Sequence, residues 1–344
     1  DKYINTKISF LNYWKIKNHN KDISCQITIR KNDGDKILRK FFKVKLNTYM
    51  ISLKDLLNEN LKITKFTGSI EVELFSSLDL KYSFPAIDAI YETKQGISLV
   101  HSNQRVFDSM QDNLQNKSIN QIQTGFDIYL DNKLETFIAA INGPLALNNQ
   151  KMKIDFFNYN GQKFTTSNFF KSIKAYEIIN FNLKIFKKLK NFLSGKRGYC
   201  KIDLPTKNIF NRVIVGTLNN NKTKITTTHS YYDCSQTKDY INLKKISAAE
   251  YGCYLPFNLF KKIKLDVVIY PIFSKANLNF SLEKIDKNNE KKIINSNVLR
   301  VSKNFKQPHI IEINKYLKNE KKLSENIYFL NITSKDNLIP ARLT

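Results

Sequence analysis

Cysteine is scarce and unpaired in this sequence: four residues in 344, with no CxxC. That excludes a disulfide scaffold, which needs many closely spaced cysteines to stand in for a small core. Long apolar runs are missing as well. The most apolar stretch, 136–147, is broken by Asn142, Gly143 and Pro144, short of the roughly 18 residues that span a bilayer. No transmembrane segment is expected. The chain opens Asp1-Lys2-Tyr3, without the apolar core of a signal peptide. Because residue 1 is not Met, localisation stays open between a soluble cytoplasmic protein and one at the cell surface.

Tryptophan occurs once, as Trp14 beside Tyr13 near an early strand, which weakens a sugar-stacking reading. Arginine is scarce too: seven of the 56 basic residues, although the formal net charge is +26. Arg is the residue suited to bidentate phosphate recognition, so nucleic acid is disfavoured as a partner. Lys, Asn, Ile, Phe and Tyr share A- and T-rich codons, so the lysine excess is open to two readings, base composition or function. A generic polyanion binder working through a Lys-rich surface is the alternative. Phosphate loops, GxGxxG, HExxH and GxSxG are all absent, which points away from an enzyme.

What is present is repetition. Ser24-Cys25-Gln26-Ile27 with the turn Asn32-Asp33-Gly34 returns roughly 127 residues later as Lys151-Met152-Lys153-Ile154 with Asn158-Tyr159-Asn160-Gly161. Asn277-Leu278-Asn279-Phe280 begins a third copy. Gly68-Ser69-Ile70-Glu71 matches Gly198-Tyr199-Cys200-Lys201, with Ile327–Ile332 as the third counterpart. A period this long means duplicated domains, with expected bounds 1–131, 132–256 and a shorter 257–344.

Each repeated segment alternates apolar and polar residues, the period of a half-buried strand. The Asn-Asp-Gly and Asn-Tyr-Asn-Gly turns predict antiparallel hairpins. The expected fold is all-β: tandem antiparallel β-sandwich-like modules, two complete and one shorter, with minor helix. Ser52–Leu57 reads as a short capped helix. The segment 182–194 reads as a longer one, with Leu183, Phe186, Leu189, Phe192 and Leu193 on one face, Gly195 as its stop, and lysines on the other. That amphipathic stripe packs on its own module or lies on a membrane surface, the first being favoured. Residues 105–123 read as a long surface loop, and 284–297 as a hairpin connection.

The candidate ligand residues are the matching His101-Ser102 and His229-Ser230, with Arg105, Tyr231, Tyr232 and Asp233 beside them. They fall at strand ends next to loops, where functional groups gather. Neighbouring His and Ser on a strand face opposite ways, so they form no nucleophile–base pair with each other. A His pinning a loop carbonyl is the competing structural role. Cys200 aligns with Ile70 and Cys234 with Val106, which makes both read as buried thiols, not as metal ligands with His229. No metal or cofactor is expected. Glu71 and Glu73 share a strand face, but their counterparts are Lys201 and Asp203, so a solvated face explains them better than glycosidase chemistry.

Function then reads as non-catalytic: tandem β-modules for binding or structural attachment to a surface polysaccharide or protein partner. A metal- or His-dependent enzyme using His101 and His229 is a second alternative. The edge of the third module offers a route to assembly by strand addition.

Overall fold

The computed structural model describes residues 3–63, 65–78, 80, 86–101, 104–107, 122–233, 251–259, 264–270, 278–286, 288, 290–301, 308–320, 323, 326–334 and 342–343. It is mostly β, built from several antiparallel sheets with short helices between them.

The chain opens with β1 (Asn5–Leu11), α1 (Tyr13–Asn18), β2 (Ser24–Lys31), β3 (Lys36–Lys43) and β4 (Thr48–Ser52). Then follow α2 (Leu53–Leu61), β5 (Gly68–Phe75), β6 (Ile87–Thr93) and β7 (Gly96–His101). One sheet has the order β4-β1-β6-β7 and the other β3-β2-β5. Period-two alternation sends Cys25, Ile27 and Ile29 of β2 inward, where they meet Ile8 and Phe10 of β1. Trp14 from α1 and Leu56 and Leu57 from α2 complete this core. The Ser52 side chain caps α2 by accepting from Asp55 N, as its position before Leu53 predicts.

The same order then returns. After β8 (Arg105–Val106), β9 (Ile122–Thr124) and β10 (Asp127–Ile128) come β11 (Leu134–Ile141), β12 (Leu147–Phe157), β13 (Lys163–Ile173) and β14 (Ile178–Asn182). A short helix α3 (Leu189–Leu193) leads to β15 (Gly198–Asp203), β16 (Ile209–Phe210), β17 (Ile214–Asn219), β18 (Ile225–His229) and β19 (Tyr231–Tyr232). The sheets are β14-β11-β17-β18 and β13-β12-β15-β9-β19, with β10 also pairing β15. Between them lie Ile138, Met152, Ile154, Phe156, Cys200, Ile202 and Val215.

A third round runs β20 (Tyr251–Phe257), β21 (Asp266–Tyr270), β22 (Leu278–Ile285), β23 (Lys291–Val301), β24 (His309–Glu312), α4 (Ile313–Tyr316), β25 (Ile327–Ser334) and β26 (Arg342–Leu343). Its sheets are β20-β25-β22-β23 and β24-β21-β26, around Phe280, Leu282, Ile311, Tyr328, Leu330 and Ile332.

One wiring rule covers all three rounds. The opening strand (β1, β11 or β21) sits between the strand that precedes the helix and a later one. The next strand (β2, β12 or β22) sits between its hairpin partner and the strand after the helix. By compactness the chain divides into two units, 1–156 with 164–231, and 157–163 with 232–344.

Some expectations change in detail. Residues 182–194 do not form one helix: a tight turn at Leu183–Ile185 precedes the five-residue α3. Leu183, Leu189 and Leu193 are core residues, with Phe186 and Phe192 packed against them, so the apolar stripe is spent within the protein. A helix broken after one turn places both halves against the sheet, which overrides the local helical pattern. The turn after β22 is only 286–290, because strand pairing extends through the lysine-rich residues on both sides. The segment 105–123 begins and ends in strand, and 108–121 lie outside the described residues. Trp14 stands on α1, directly after β1, and so near an early strand as expected.

Cys25 and Cys200 are buried free thiols; Cys234 and the side chain of Cys253 lie outside the described residues. Burial pushes the Cys25 thiol up to about 12, with Glu73 adding to the effect, and raises Cys200 well above its ordinary value. In a variant with Cys234 and Cys253 replaced by Ser, a thiol-reactive dye at pH 8 should label nothing until denaturant is added. Two labels per chain should then appear; fast labelling of the native protein would contradict the burial.

Candidate functional site

The two matching histidines end equivalent strands, His101 on β7 and His229 on β18, and both belong to the first compact unit. There they meet. Their ring centroids are 4.7 Å apart with the planes at 82°, an edge-to-face contact. Across the sheets, His101 stands opposite Asp88 and His229 opposite Ile214. The two strands touch through side chains further along. Ser98 Oγ and Thr227 Oγ1 share a 2.8 Å hydrogen bond, and Thr227 N donates to Ser98 Oγ. Gln95 N donates to Thr223 O at 3.0 Å.

His229 is buried, and its Nδ1 lies 2.7 Å from Ser230 O. A carbonyl only accepts, so Nδ1 carries the hydrogen there. This is the role of a histidine that pins a strand end. Ser230 is fully buried. Its Oγ accepts from Val213 N at 2.8 Å and donates to Gln123 Oε1, while its own N donates to Val213 O. That hydroxyl bridges β9 to the segment before β17 and is not directed at an imidazole. Ser102 lies outside the described residues.

Arg105 stacks its guanidinium on the Phe210 ring, 4.1 Å from the centroid, within the β8–β16 ribbon. Phe107 meets the same ring at 4.3 Å. Tyr231 is exposed, with the Arg212 guanidinium 5.9 Å from its ring centroid. Tyr232 is half-buried and Asp233 buried, both in the second compact unit. The structure therefore brings His101 and His229 into one contact but places Arg105 on a separate aromatic stack.

Sequence reading passes over Gln104. Its Nε2 donates to Ile141 O and Asn211 Oδ1, and its Oε1 accepts from Ile141 N at 2.6 Å. A side-chain amide that copies a backbone pairing has no sequence signature. Glu71 and Glu73 are held by β2, through Arg30 at 2.9 Å and Gln26 at 2.7 Å, on a half-buried sheet face.

Among the described residues no three His, Cys, Asp or Glu side chains converge as a metal site, and no helix is long and apolar enough to cross a membrane. Two open depressions mark the surface. One, of about 430 Å³, is lined by Leu130, Asp131, Asn132, Lys190, Asn191 and Ser194; the other, of about 580 Å³, by Lys31, Asp33, Ile37, Ile63, Lys65 and Phe66. Neither includes the histidine pair, and both are shallow for a ligand that must be enclosed.

No protein-family model matches the chain, and no curated protein does. Among solved structures, a calcium-binding mutant of β-glucuronidase 2 from Bacteroides uniformis aligns over 67% of this chain and 24% of its own, at 10% identity and a TM-score of 0.15. Trypsin-activated alpha-2-macroglobulin from Escherichia coli aligns over 95% of this chain and 21% of its own, at 9% identity and a TM-score of 0.16. The chain thus spans about a quarter or less of either protein. At such scores neither likeness carries an argument.

Proposed function

We propose that this chain is a non-catalytic array of three β-modules for binding or structural attachment, with a surface polysaccharide or a protein as its partner. What carries the reading is the use to which the candidate chemical groups are put. His229, Ser230 and Gln104 are spent on holding strands together, and a triad-like arrangement would need them oriented toward a cleft. Repetition of one module suits attachment through several modest contacts. The exposed members of the set, His101 and Tyr231, are the contact residues of this proposal, with Arg212 flanking the tyrosine ring.

The test is binding of the purified chain to neutral glycans, acidic glycans and duplex DNA at low and high salt. Selective binding that survives salt and falls about tenfold or more in Tyr231→Ala is expected, the loss that a stacked aromatic contact implies. Binding to every polyanion that vanishes with salt would replace this reading with one driven by the net charge.

A further inference from the structure

The outer face of the β3-β2-β5 sheet carries two aromatic rings where strand alternation calls for polar residues. Cross-strand register sets out its rows: Lys43-Ser24-Phe75, then Phe41-Gln26-Glu73, then Arg39-Thr28-Glu71. These residues lie on the side opposite Cys25, Ile27 and Ile29, which fill the core. Phe41 is 59% exposed and Phe75 44%. Their strands are separated by β2, a distance of roughly 9.5 Å between backbones. The ring centroids are only 6.2 Å apart, so the rings lean toward each other across β2. Ser24, on the strand between them, is buried.

Polar side chains on the same face are already oriented. Gln26 Nε2 donates to Glu73 Oε2 at 2.7 Å, and Arg39 Nε donates to Thr28 Oγ1 at 3.1 Å. Arg30 donates to Glu71 at 2.9 Å, and Lys43 Nζ to Asp22 at 2.8 Å. At the far end stands Tyr176, from the turn between β13 and β14, with the Arg30 guanidinium 4.1 Å from its ring centroid. Across the three rows Arg39 and Lys43 are balanced by Glu71 and Glu73, a neutral face in a chain of net charge +26.

Two rings left in water cost free energy that a bound partner offsets by covering them. A pyranose has the matching chemistry: an apolar face of C–H groups and a rim of hydroxyls that both donate and accept. The rings suit its C–H face, while Gln26, Glu73 and Arg39 supply fixed donors and acceptors for its rim. The sole tryptophan is buried in the core, so on this face phenylalanine takes the stacking part. Balanced charge selects a neutral sugar over an acidic one.

We propose that this face binds a neutral glycan, with Phe41 and Phe75 against a pyranose ring and Gln26, Glu73 and Arg39 bonding its hydroxyls. The second copy has Lys201, Asp203 and Pro205 at the positions of Glu71, Glu73 and Phe75, so it lacks the second ring. The inference names a ligand class and a place for the attachment reading, and rests on that reading for its polysaccharide partner. Its contact residues are separate from His101 and Tyr231.

Isothermal titration calorimetry of the purified chain tests it, with cellohexaose, xylohexaose, mannohexaose, maltohexaose and chitohexaose as probes. At least one should bind, with affinity unchanged between about 0.15 and 0.5 M salt, because no net charge is neutralised. Phe41→Ala and Phe75→Ala should each weaken binding about tenfold, and Gln26→Ala about threefold or more, all with native circular dichroism. Phe41→Trp should keep the affinity, and its fluorescence should move to the blue on saturation. A hexasaccharide reports one site where a polymer engages several, so Tyr231→Ala should leave this titration unchanged. No binding of any of the five probes overturns the proposal, and so does binding that both Phe→Ala variants leave unmoved. Binding lost in Tyr231→Ala but kept in Phe41→Ala and Phe75→Ala overturns this site while the attachment reading stands.

Discussion

Replacing Asn142 by Ala should destabilise the second copy by about 2–4 kcal/mol, and Asp at the same position should cost more. Asn142 is completely buried just after β11. Its Nδ2 donates to Leu145 O at 2.8 Å and to Lys174 O at 2.9 Å, tying the end of one strand to two separate turns. Truncation to Ala removes the side-chain donor from both carbonyls at a position that is itself fully buried. An aspartate would direct negative oxygen at those carbonyls with no cation to balance it. Asn12 does the same work in the first copy, through longer 3.3 Å bonds to Val44 O and Leu46 O, and also caps α1 by accepting from Lys15 N. Its loss should cost about 1–3 kcal/mol, the range of a cap plus weaker bridging bonds. Urea titrations separate the two effects. Trp14, the sole tryptophan, lies in the first core, so its fluorescence should shift midpoint strongly in Asn12→Ala and weakly in Asn142→Ala. Circular dichroism should register both. An Asn142→Ala protein with an unchanged midpoint would refute this account of the turn.

Gly34→Ala should cost about 2–4 kcal/mol, far above the ~1 kcal/mol of an ordinary left-handed glycine. Gly34 has φ +87°, where a side chain is strained, and a Cβ there would collide with the Ala175 carbonyl oxygen. Because that oxygen belongs to backbone, relief requires the two copies to move apart. The Asn32–Ile178 bond and the Arg30–Tyr176 stack would go with it. Gly195 is the control. It has φ +70° after α3 but nothing near its added Cβ, so Gly195→Ala should show the backbone cost alone. Thermal midpoints and limited proteolysis of the two variants measure the difference. Equal effects would mean that the joint between the copies contributes nothing to stability.

Much of the strand framework could be read from residue order. The alternation in 23–30, 70–74 and 151–156 matches β2, β5 and β12, because a strand with one face in the core must place an apolar residue at every second position. The turns at Asn32–Gly34 and Asn158–Gly161 were equally legible, as tight hairpins demand residues that tolerate unusual backbone angles. Helical content was harder to judge. The stripe in 182–194 is real, but a stripe states which residues are buried and not whether the backbone between them stays helical. At Phe186–Lys188 the packing of two short turns on one sheet prevailed over local preference.

The candidate site was legible only as chemistry. That His101 and His229 correspond to one another follows from repetition, and so does their place at strand ends. Their mutual contact does not, since it depends on how one copy leans on the next, and no residue in either strand encodes that angle. The bridging roles of Gln104, Asn12 and Asn142 escaped for a related reason. A buried amide acquires its meaning from the carbonyls around it, which are anonymous in a sequence because every residue has one. Side-chain periodicity, a local property, determined strands and turns. Partners distant in the chain decided which polar groups are structural and which remain open to solvent, because only packing brings them within hydrogen-bond reach.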